Sequence, residues 1–366
     1  MKAAAWIVAL LLAAVAVRRF WWIAAGWRRP PVIEAGQSAP HTLILAPMRN
    51  EQERGSVLLE SLSRLDYPKQ RHFIVLGDDA SSDGTAAMLH AWASSRPNVL
   101  VVRAEQQVGK AELMTRMMNA SGKDAPFVAV YDAKHGPTPD SLRQLIAAMQ
   151  DEATGCASGY LEPQNAHVSL VSQYSALESW VTQLVHHGGK ESQGQSAPSL
   201  GGNCVYRRAA LEQIGGFPAG ALSEDTEVSL AMQAHGWRTR FVAQARATNL
   251  VVETVGGFWL QRLRWSRGLA AARHRAKSME AWAVTLGYAD RLLFLAAAAM
   301  AVAGYLPVWM LLLYATAPLA MILSAVHKAH AWRDSPRVLL SVVLLAPVDI
   351  AVSLWATIGV RRVNWR

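Results

Sequence analysis

Residues 127–140, FVAVYDAKHGPTPD, contain the feature that decides the fold prediction. The segment begins with five apolar residues that mostly favour β structure and ends in glycine and proline residues typical of a turn, which predicts a strand buried on both faces. Asp132 follows directly at the end of this strand. Ligands of open α/β sheets bind beyond the carboxyl ends of the strands, so Asp132 is a candidate functional residue. The alternative is that Asp132 only begins the turn.

Three further apolar runs precede this strand, at 42–46, 73–76 and 99–102. They alternate with amphipathic segments, such as those at 57–65 and 85–93. Strands that alternate with helices predict an α/β fold, in which a doubly wound, mostly parallel sheet has helices on both faces.

Polar residues gather where each predicted strand ends. Because the carboxyl ends of parallel strands meet at one edge of the sheet, these residues predict a nucleotide site there. The candidates after the four strands, in chain order, are Asn50 and Glu51, then Asp78 and Asp79, then Lys110, and finally Asp132.

Apolar runs near both ends predict membrane segments in this 366-residue chain, of which 52% is hydrophobic. Residues 3–17 are apolar and are followed by Arg18 and Arg19, which predicts an anchor with the following residues in the cytoplasm. A signal peptide would have its basic residues before the apolar run. Residues 292–326 lack charge and exceed one span of about 20 residues, so a break at 304–307 predicts two helices.

A further span is predicted at 338–360 and contains Asp349. An intramembrane Asp indicates a functional site or a hydrogen bond to a neighbouring helix, and both interpretations stay open. Four spans would leave the basic carboxyl terminus outside, against the charge rule, so one apolar segment is expected to be re-entrant or interfacial.

The net charge of +9 is concentrated beside apolar runs, including six basic residues within 262–277. This pattern suits an anionic inner leaflet, whereas nucleic acid is not expected as a partner because interleaved aromatic residues and nucleic-acid motifs are missing. The two cysteines, Cys156 and Cys204, show neither metal nor disulfide spacing, which favours a reducing compartment.

Seven motifs give the chain a recognisable order. It contains, in sequence, APMRNE, DDASSDGT, GKAELMTRMMN, YDAKHGPTPD, GGNCVYRRAALEQIGGF, SEDTEVSLAMQAHGW and QRLRW. This order resembles the membrane-integrated family 2 glycosyltransferases, which have the GT-A fold and include cellulose, chitin and hyaluronan synthases and ceramide glucosyltransferases. The resemblance covers roughly residues 41–268, and its most specific part is SED followed about 36 residues later by Q-x-x-R-W.

The resemblance implies a nucleotide-sugar donor, expected to be a UDP-sugar. Asp78 would contact the uracil edge, since a carboxylate accepts a hydrogen bond from the base N–H. Lys110 would lie near the phosphates or the uridine, with an ordinary surface lysine as the alternative. The other residues assigned to the donor pocket are Asn50, Glu51 and Asp79.

By the same resemblance, Asp132 is the first residue of a D-x-D metal motif, which implies Mg²⁺ or Mn²⁺. Here the third position is Lys134, and one carboxylate holds such an ion poorly without other ligands. His135 is the second candidate metal ligand, and imidazole suits Mn²⁺ better than Mg²⁺. The alternatives are that Lys134 supplies the positive charge itself or is a surface lysine.

Asp225 matches the general base of the family, and Glu224 beside it is the second catalytic candidate. One base without a nucleophile implies a single displacement with inversion. Ser223 is predicted to cap the helix that begins here, and Glu224 is also explained as a first-turn acid. The helix dipole is expected to lower the pKa of Asp225.

Gln261, Arg264 and Trp265 form the Q-x-x-R-W motif, whose spacing places them on one side of a helix. Arg264 would pair with the diphosphate and Trp265 would stack on a sugar ring. An interfacial membrane helix is the alternative, and both roles are compatible. Gly202 and Asn203 match a segment that approaches the acceptor in the family, with a plain turn as the alternative.

These inferences predict a multi-pass protein of the plasma (inner) membrane. The predicted parts are an N-terminal anchor at 1–27, a linker at 28–40, a cytoplasmic catalytic domain at 41–255, the Q-x-x-R-W motif with an interfacial amphipathic helix at 256–288, and about three spans at 289–366.

Three functions remain open from the sequence. The first is transfer of one sugar to a lipid acceptor, the second is processive polysaccharide synthesis on a glycan acceptor, and the third is a membrane module with a degenerate site, suggested by Lys134. The expected partners are the nucleotide sugar, a lipid or glycan acceptor and the bilayer. A homo-oligomer or a partner subunit would supply further channel lining for a synthase.

Overall fold

The computed structural model of the chain describes residues 2–27, 39–122, 124–276 and 292–358. The described residues fall into two compact units. The helical unit lies within Met1–Pro30, Asn165–Gly194 and Val251–Arg361, and the sheet unit lies within Pro31–Gln164 and Gln195–Leu250. The segment 165–194 therefore groups with the terminal helices, inside the range that the sequence assigned to one catalytic domain. The predicted domain boundaries stay a prediction.

The described strands form one sheet in the order β3-β2-β1-β4-β7-β6-β8-β5. Strands β1 to β4 run parallel, whereas β7 is antiparallel to both of its neighbours. A mixed, mostly parallel sheet confirms the predicted α/β class. The strands are β1 Thr42–Met48, β2 His72–Asp78, β3 Val99–Arg103, β4 Phe127–Val130, β5 Gly136–Pro137, β6 Thr154–Pro163, β7 Cys204–Arg207 and β8 Arg238–Asn249.

The α-helices of the described residues belong to both units. Helices α2 to α5, α8 and α9 lie in the sheet unit, and the others lie in the helical unit. They are α1 Lys2–Trp27, α2 Gly55–Ser63, α3 Thr85–Ala93, α4 Lys110–Ser121, α5 Ser141–Ala148, α6 Leu170–Trp180, α7 Gly188–Ser192, α8 Arg208–Gln213, α9 Glu224–Ala234, α10 Val255–Ala276, α11 Leu292–Val302, α12 Val308–Lys328 and α13 Ser335–Ile358.

The central strands are buried on both faces, as their continuous apolar runs predict. Successive side chains of β1 point to opposite faces, so Ile44 and Ala46 belong to one hydrophobic core while Leu43 and Leu45 belong to the other. Leucines of α2 and α5 fill the first core, and α4 contributes Leu113, Met114 and Met117 to the second. Helices therefore cover both faces of the sheet and leave its carboxyl edge to the loops.

The helical unit has three described helices that are long and apolar enough to cross a membrane, within Ala3–Trp27, Val308–Lys328 and Trp332–Val352. The predicted break at 304–307 is confirmed, because α11 ends at Val302 and α12 begins at Val308. The predicted span at 338–360 corresponds to α13. Most of the predicted linker, and the part of the interfacial helix after residue 276, lie outside the described residues.

Candidate functional site

Loops after β1 and β2 bind each other at the carboxyl edge of the sheet. Asn50, in the left-handed region with φ of 53°, donates its backbone N–H to Ser81 Oγ at 3.0 Å and accepts from Ser82 N–H at 2.9 Å through Oδ1. The backbone N–H of Glu51 donates to Thr85 Oγ1 at 2.8 Å. Asn50 and Glu51 are therefore held at the edge where the sequence places the donor pocket.

The two aspartates that end β2 have different partners. Asp78 is fully buried, accepts from Ser81 N–H at 3.1 Å and lies 3.2 Å from Arg103 Nε on β3. The carboxylate of Asp79 accepts from the backbone N–H groups of Val108 at 2.7 Å and Gly109 at 3.0 Å. Asp79 therefore fixes the loop that leads into Lys110, the first residue of α4.

Lys110 is the centre of a half-buried cluster formed by four segments of the sheet unit. Its Nζ lies 2.7 Å from Asp132 Oδ1 after β4 and 2.8 Å from Glu224 Oε1 at the start of α9. The same atom donates to the carbonyl oxygen of Gly201 at 2.7 Å. Burial alone would lower the pKa of Lys110, but the charges of Asp132 and Glu224 outweigh it and raise this pKa, so the ammonium is charged.

Asp225 lies beside this cluster in the first turn of α9. Its Oδ1 accepts from Thr226 N–H at 2.7 Å. Burial, followed by the charge of Glu224, raises the pKa of Asp225 to about 7, although Lys110 opposes the rise. The expectation that the helix dipole would lower this pKa was wrong, because desolvation and a neighbouring carboxylate exceed the dipole effect. The ionised carboxylate of Asp225 can therefore accept a proton near neutral pH.

Ser223 occupies the N-cap position of α9, as predicted, but its side chain makes no capping hydrogen bond within the described chain. Its φ of −142° and ψ of 74° differ from the extended backbone of the capping residue Ser169, whose side chain does accept such a bond. Glu224 is not only a first-turn acid, because it is buried and paired with Lys110.

Gly202 and Asn203 are both buried in the turn before β7. Asn203 is fully buried, donates from Nδ2 to Ala245 O at 2.9 Å and accepts from Ser141 Oγ at 2.7 Å. The Asn203 amide lies inside the protein and holds two segments together, and its predicted role in substrate binding stays a prediction. Gly202 lies against Asp132 and His135, where a Cβ would come within 2.5 Å of His135 Nδ1.

The Q-x-x-R-W residues lie on α10 in the helical unit. Arg264 and Trp265 are exposed and Gln261 is half-buried. Arg262, which lies between Gln261 and Arg264, was not among the predicted site residues. It is buried and forms an ion pair with Glu178 on α6. Its guanidinium also lies over the rings of Phe258 and Trp265, at 4.7 and 5.0 Å from their centroids.

Asp349, the acid of the last predicted span, is a partner of Arg262. Arg262 Nε lies 3.6 Å from Asp349 Oδ1, and Tyr174 OH donates to Asp349 Oδ2 at 3.2 Å. The structure therefore favours the interpretation in which this Asp binds neighbouring helices. The sequence signal for this pairing was Asp349, the one acidic residue of the apolar helix α13, which requires a partner inside a membrane.

A family model described as glycosyl transferase family group 2 matches residues 127–325, more than half of the chain. The chain belongs to this family. The matched range includes Asp132, Asp225 and the Q-x-x-R-W motif of the glycosyltransferase.

The relatives of this glycosyltransferase include proteins named for a glycolipid product and for a polysaccharide product. A probable glycosyltransferase of Bacillus subtilis is 28% identical over 63% of this chain and 55% of its own length. A beta-monoglucosyldiacylglycerol synthase of Synechocystis is 25% identical over 65% of this chain and 50% of its own. A cellulose synthase catalytic subunit of Xanthomonas axonopodis is 26% identical over 66% of this chain and 33% of its own. The chain spans about half the length of the first curated relatives that it matches.

Among solved structures, the mannosyltransferase PcManGT from Pyrobaculum calidifontis, in complex with GDP-Man and Mn²⁺, is similar in fold. The TM-score is 0.61 at 19% identity, with 96% of this chain and 97% of that chain covered. This likeness supports the GT-A-like architecture of the glycosyltransferase.

The residues at the D-x-D position do not fit a resident divalent ion. No group of three or more His, Cys, Asp or Glu side chains that could hold a metal occurs among the described residues. Asp132 faces the Lys110 ammonium at 2.7 Å, which would repel a second cation. His135 is buried with its Nδ1 unpartnered among the described residues, and burial lowers its pKa to about 4. With only two donors here, a divalent ion would depend on diphosphate oxygens and waters for its other ligands, and the Lys110 ammonium would oppose its binding.

Proposed function

We propose that this chain is a membrane-bound, inverting glycosyltransferase that transfers one sugar from a nucleotide sugar, expected to be a UDP-sugar, to a lipid acceptor at the cytoplasmic face. The observation on which the proposal rests is the position of Asp225. This carboxyl, with a pKa of about 7, adjoins the Lys110 cluster at the edge of the sheet where α/β proteins bind nucleotides.

In the proposed reaction, Asp225 is the single general base. Asp225 takes the proton of the acceptor hydroxyl while the hydroxyl oxygen attacks C1 of the sugar. The bond between C1 and the diphosphate oxygen breaks, and its electron pair leaves with the nucleoside diphosphate. A single displacement of this kind inverts the configuration at C1.

The donor is expected to lie along the loops after β1, β2 and β4. Asn50 and Glu51 are held there by backbone hydrogen bonds, and Asp78 is linked to Asn50 through Ser81, which donates to Asp78 and accepts from Asn50. The family supports nucleotide-sugar chemistry, and the structural neighbour PcManGT was solved with GDP-Man. The base and sugar that this chain prefers are part of the proposal.

A lipid acceptor is supported by the apolar helices and by one relative. Three described helices could cross a membrane, and the exposed Arg264 and Trp265 belong to the same unit. The Synechocystis relative is named as a glycolipid synthase. Arg18 and Arg19, which follow the apolar run at 3–17, favour a cytoplasmic catalytic domain.

Processive polysaccharide synthesis is the second candidate function, because a cellulose synthase subunit is also a relative. The helical unit favours single transfer, since three spanning helices among the described residues offer little lining for a polymer channel. A second copy or a partner subunit would be needed to complete such a channel.

Product analysis tests the proposal. The purified chain in native-lipid nanodiscs is incubated in turn with radiolabelled UDP-glucose, UDP-galactose, UDP-N-acetylglucosamine and GDP-mannose, and the products are extracted with organic solvent. We expect label in the organic phase with one donor, and none with Asp225→Asn. Label in a polymer that a glycoside hydrolase degrades would establish the synthase instead, and no label in either phase would contradict both functions.

A further inference from the structure

The ammonium group of Lys110 has protein partners for all of its hydrogen-bond donors. A lysine ammonium has three N–H donors. Three oxygens surround Lys110 Nζ within 2.8 Å, namely Asp132 Oδ1, Glu224 Oε1 and Gly201 O. All three donors are therefore occupied by protein, and this lysine neutralises two carboxylates of the site without reaching outward to a ligand.

The second observation concerns Asp132. A metal that binds a nucleoside diphosphate uses the carboxylates of its site as anchors, and Mg²⁺ needs closely spaced oxygen ligands. One oxygen of Asp132 already contacts an ammonium, and the residue two positions later is Lys134 in place of a second acid. A divalent ion at this point would therefore meet two positive charges, Lys110 at the start of α4 and Lys134 in the segment after β4.

The third observation concerns the position of Lys134. It follows β4 by a few residues and is half-buried at the carboxyl edge of the sheet. Burial raises the pKa of Glu51, and the positive charges of Arg54 and then Lys134 oppose this rise. The Lys134 ammonium is therefore within electrostatic reach of the loop after β1, on the side where the donor is expected.

We propose that two lysines replace the divalent cation: Lys134 binds the diphosphate of the nucleotide sugar, and Lys110 neutralises Asp132 and Glu224. This inference rests on the proposed function for its substrate. When the bond to C1 breaks, the negative charge that develops on the leaving diphosphate is met by a charge-assisted hydrogen bond from Lys134. Neither binding nor transfer then needs a metal.

A measurement of nucleotide binding tests this inference independently of sugar transfer. UDP and GDP binding to the full chain in nanodiscs is measured by calorimetry in EDTA, and again with MnCl₂ or MgCl₂. We expect one nucleotide to bind with a Kd that differs by less than about twofold between these conditions. A Kd that rises at least tenfold in EDTA and recovers with Mn²⁺ would overturn the proposal.

Variants of Lys134 make the test specific. Lys134→Ala should weaken binding in EDTA by about tenfold to a hundredfold, the range for a lost hydrogen bond to a charged group. Lys134→Asp should bind weakly in EDTA and regain affinity with Mn²⁺, because it creates the paired carboxylates. Lys69→Ala removes an equal charge from the short helix before β2 and should leave the Kd unchanged.

Thermal unfolding of each variant, measured in parallel, verifies that the chain is folded. An unchanged Kd for folded Lys134→Ala would overturn the proposal, as would binding of neither nucleotide in any condition. Metal-free binding without sugar transfer would support the lysine sites while contradicting the proposed function.

Discussion

A side chain at Gly201 would collide with Asp225. A Cβ built on Gly201 would lie 2.8 Å from Asp225 Oδ2, and Gly201 has a φ of +74°. Its carbonyl oxygen also accepts a hydrogen bond from Lys110. The absence of a side chain at this position therefore gives the proposed base its place beside the lysine.

Gly201→Ala should lower kcat at least tenfold, because the added methyl group displaces the Asp225 carboxylate. The left-handed backbone alone costs about 1–2 kcal/mol of stability. Gly215→Ala is the matched control, since Gly215 has a φ of +83° but nothing within 4 Å of the added carbon. Both variants should lose similar stability by thermal unfolding, and only Gly201→Ala should lose turnover. Equal turnover in the two variants would contradict this role.

The pH dependence of sugar transfer should follow the ionisation of the Asp225 carboxyl. Burial and the charge of Glu224 favour its protonated form, so the ionised base accumulates as pH rises through about 7. We expect kcat/KM to rise about tenfold per pH unit below this value and to level off above it. Initial rates between pH 5 and 9 measure the profile. A profile that is flat from pH 5 upward would exclude a base with this pKa.

Arg262 and Asp349 should stabilise the helical unit as a pair. Removing one partner of a buried ion pair costs about 3–5 kcal/mol, because the other charge stays buried. Arg262→Gln should therefore lower the midpoint of thermal unfolding in nanodiscs by about 5 °C or more, and Asp349→Asn should lower it less because Arg262 keeps its ion pair with Glu178.

The double variant tests whether the two side chains act together. It should lose less stability than the sum of the single losses, because Arg262→Gln alone already removes the contact that Asp349→Asn breaks. Asp334→Asn, in the turn between α12 and α13, is the control and should change the midpoint little. Additive losses would show that Arg262 and Asp349 act independently.

The first half of the sheet could be predicted because its strands are continuous apolar runs. The run at 42–46 became β1, and the predicted helix at 85–93 has the observed bounds of α3. Strands β6 and β8 were not identified, since Thr154–Pro163 and Arg238–Asn249 mix polar and apolar residues without a simple period. Their pairing with each other stabilises them, and a sequence pattern does not show that contact.

Motif order placed Asp132 and Asp225 among the site residues, and the fold brings the segments of both to Lys110. The ion pairs of Lys110 join residues up to 114 positions apart, so they depend on the tertiary fold. The same holds for the Asn203 amide, whose hydrogen bonds to Ser141 and Ala245 join it to residues 62 and 42 positions away. Local sequence predicted residue types at the site, whereas burial and pairing required the structure.

Comparing Asp225→Asn with the unaltered chain tests the central claim most directly. The measurement is single-turnover sugar transfer in nanodiscs, together with the Kd for the nucleotide that binds. Because the amide keeps the shape of the side chain but cannot accept the proton, we predict a rate loss of about 10²–10⁴-fold with a Kd changed less than about threefold. Unchanged turnover would contradict the assignment of Asp225 as the base.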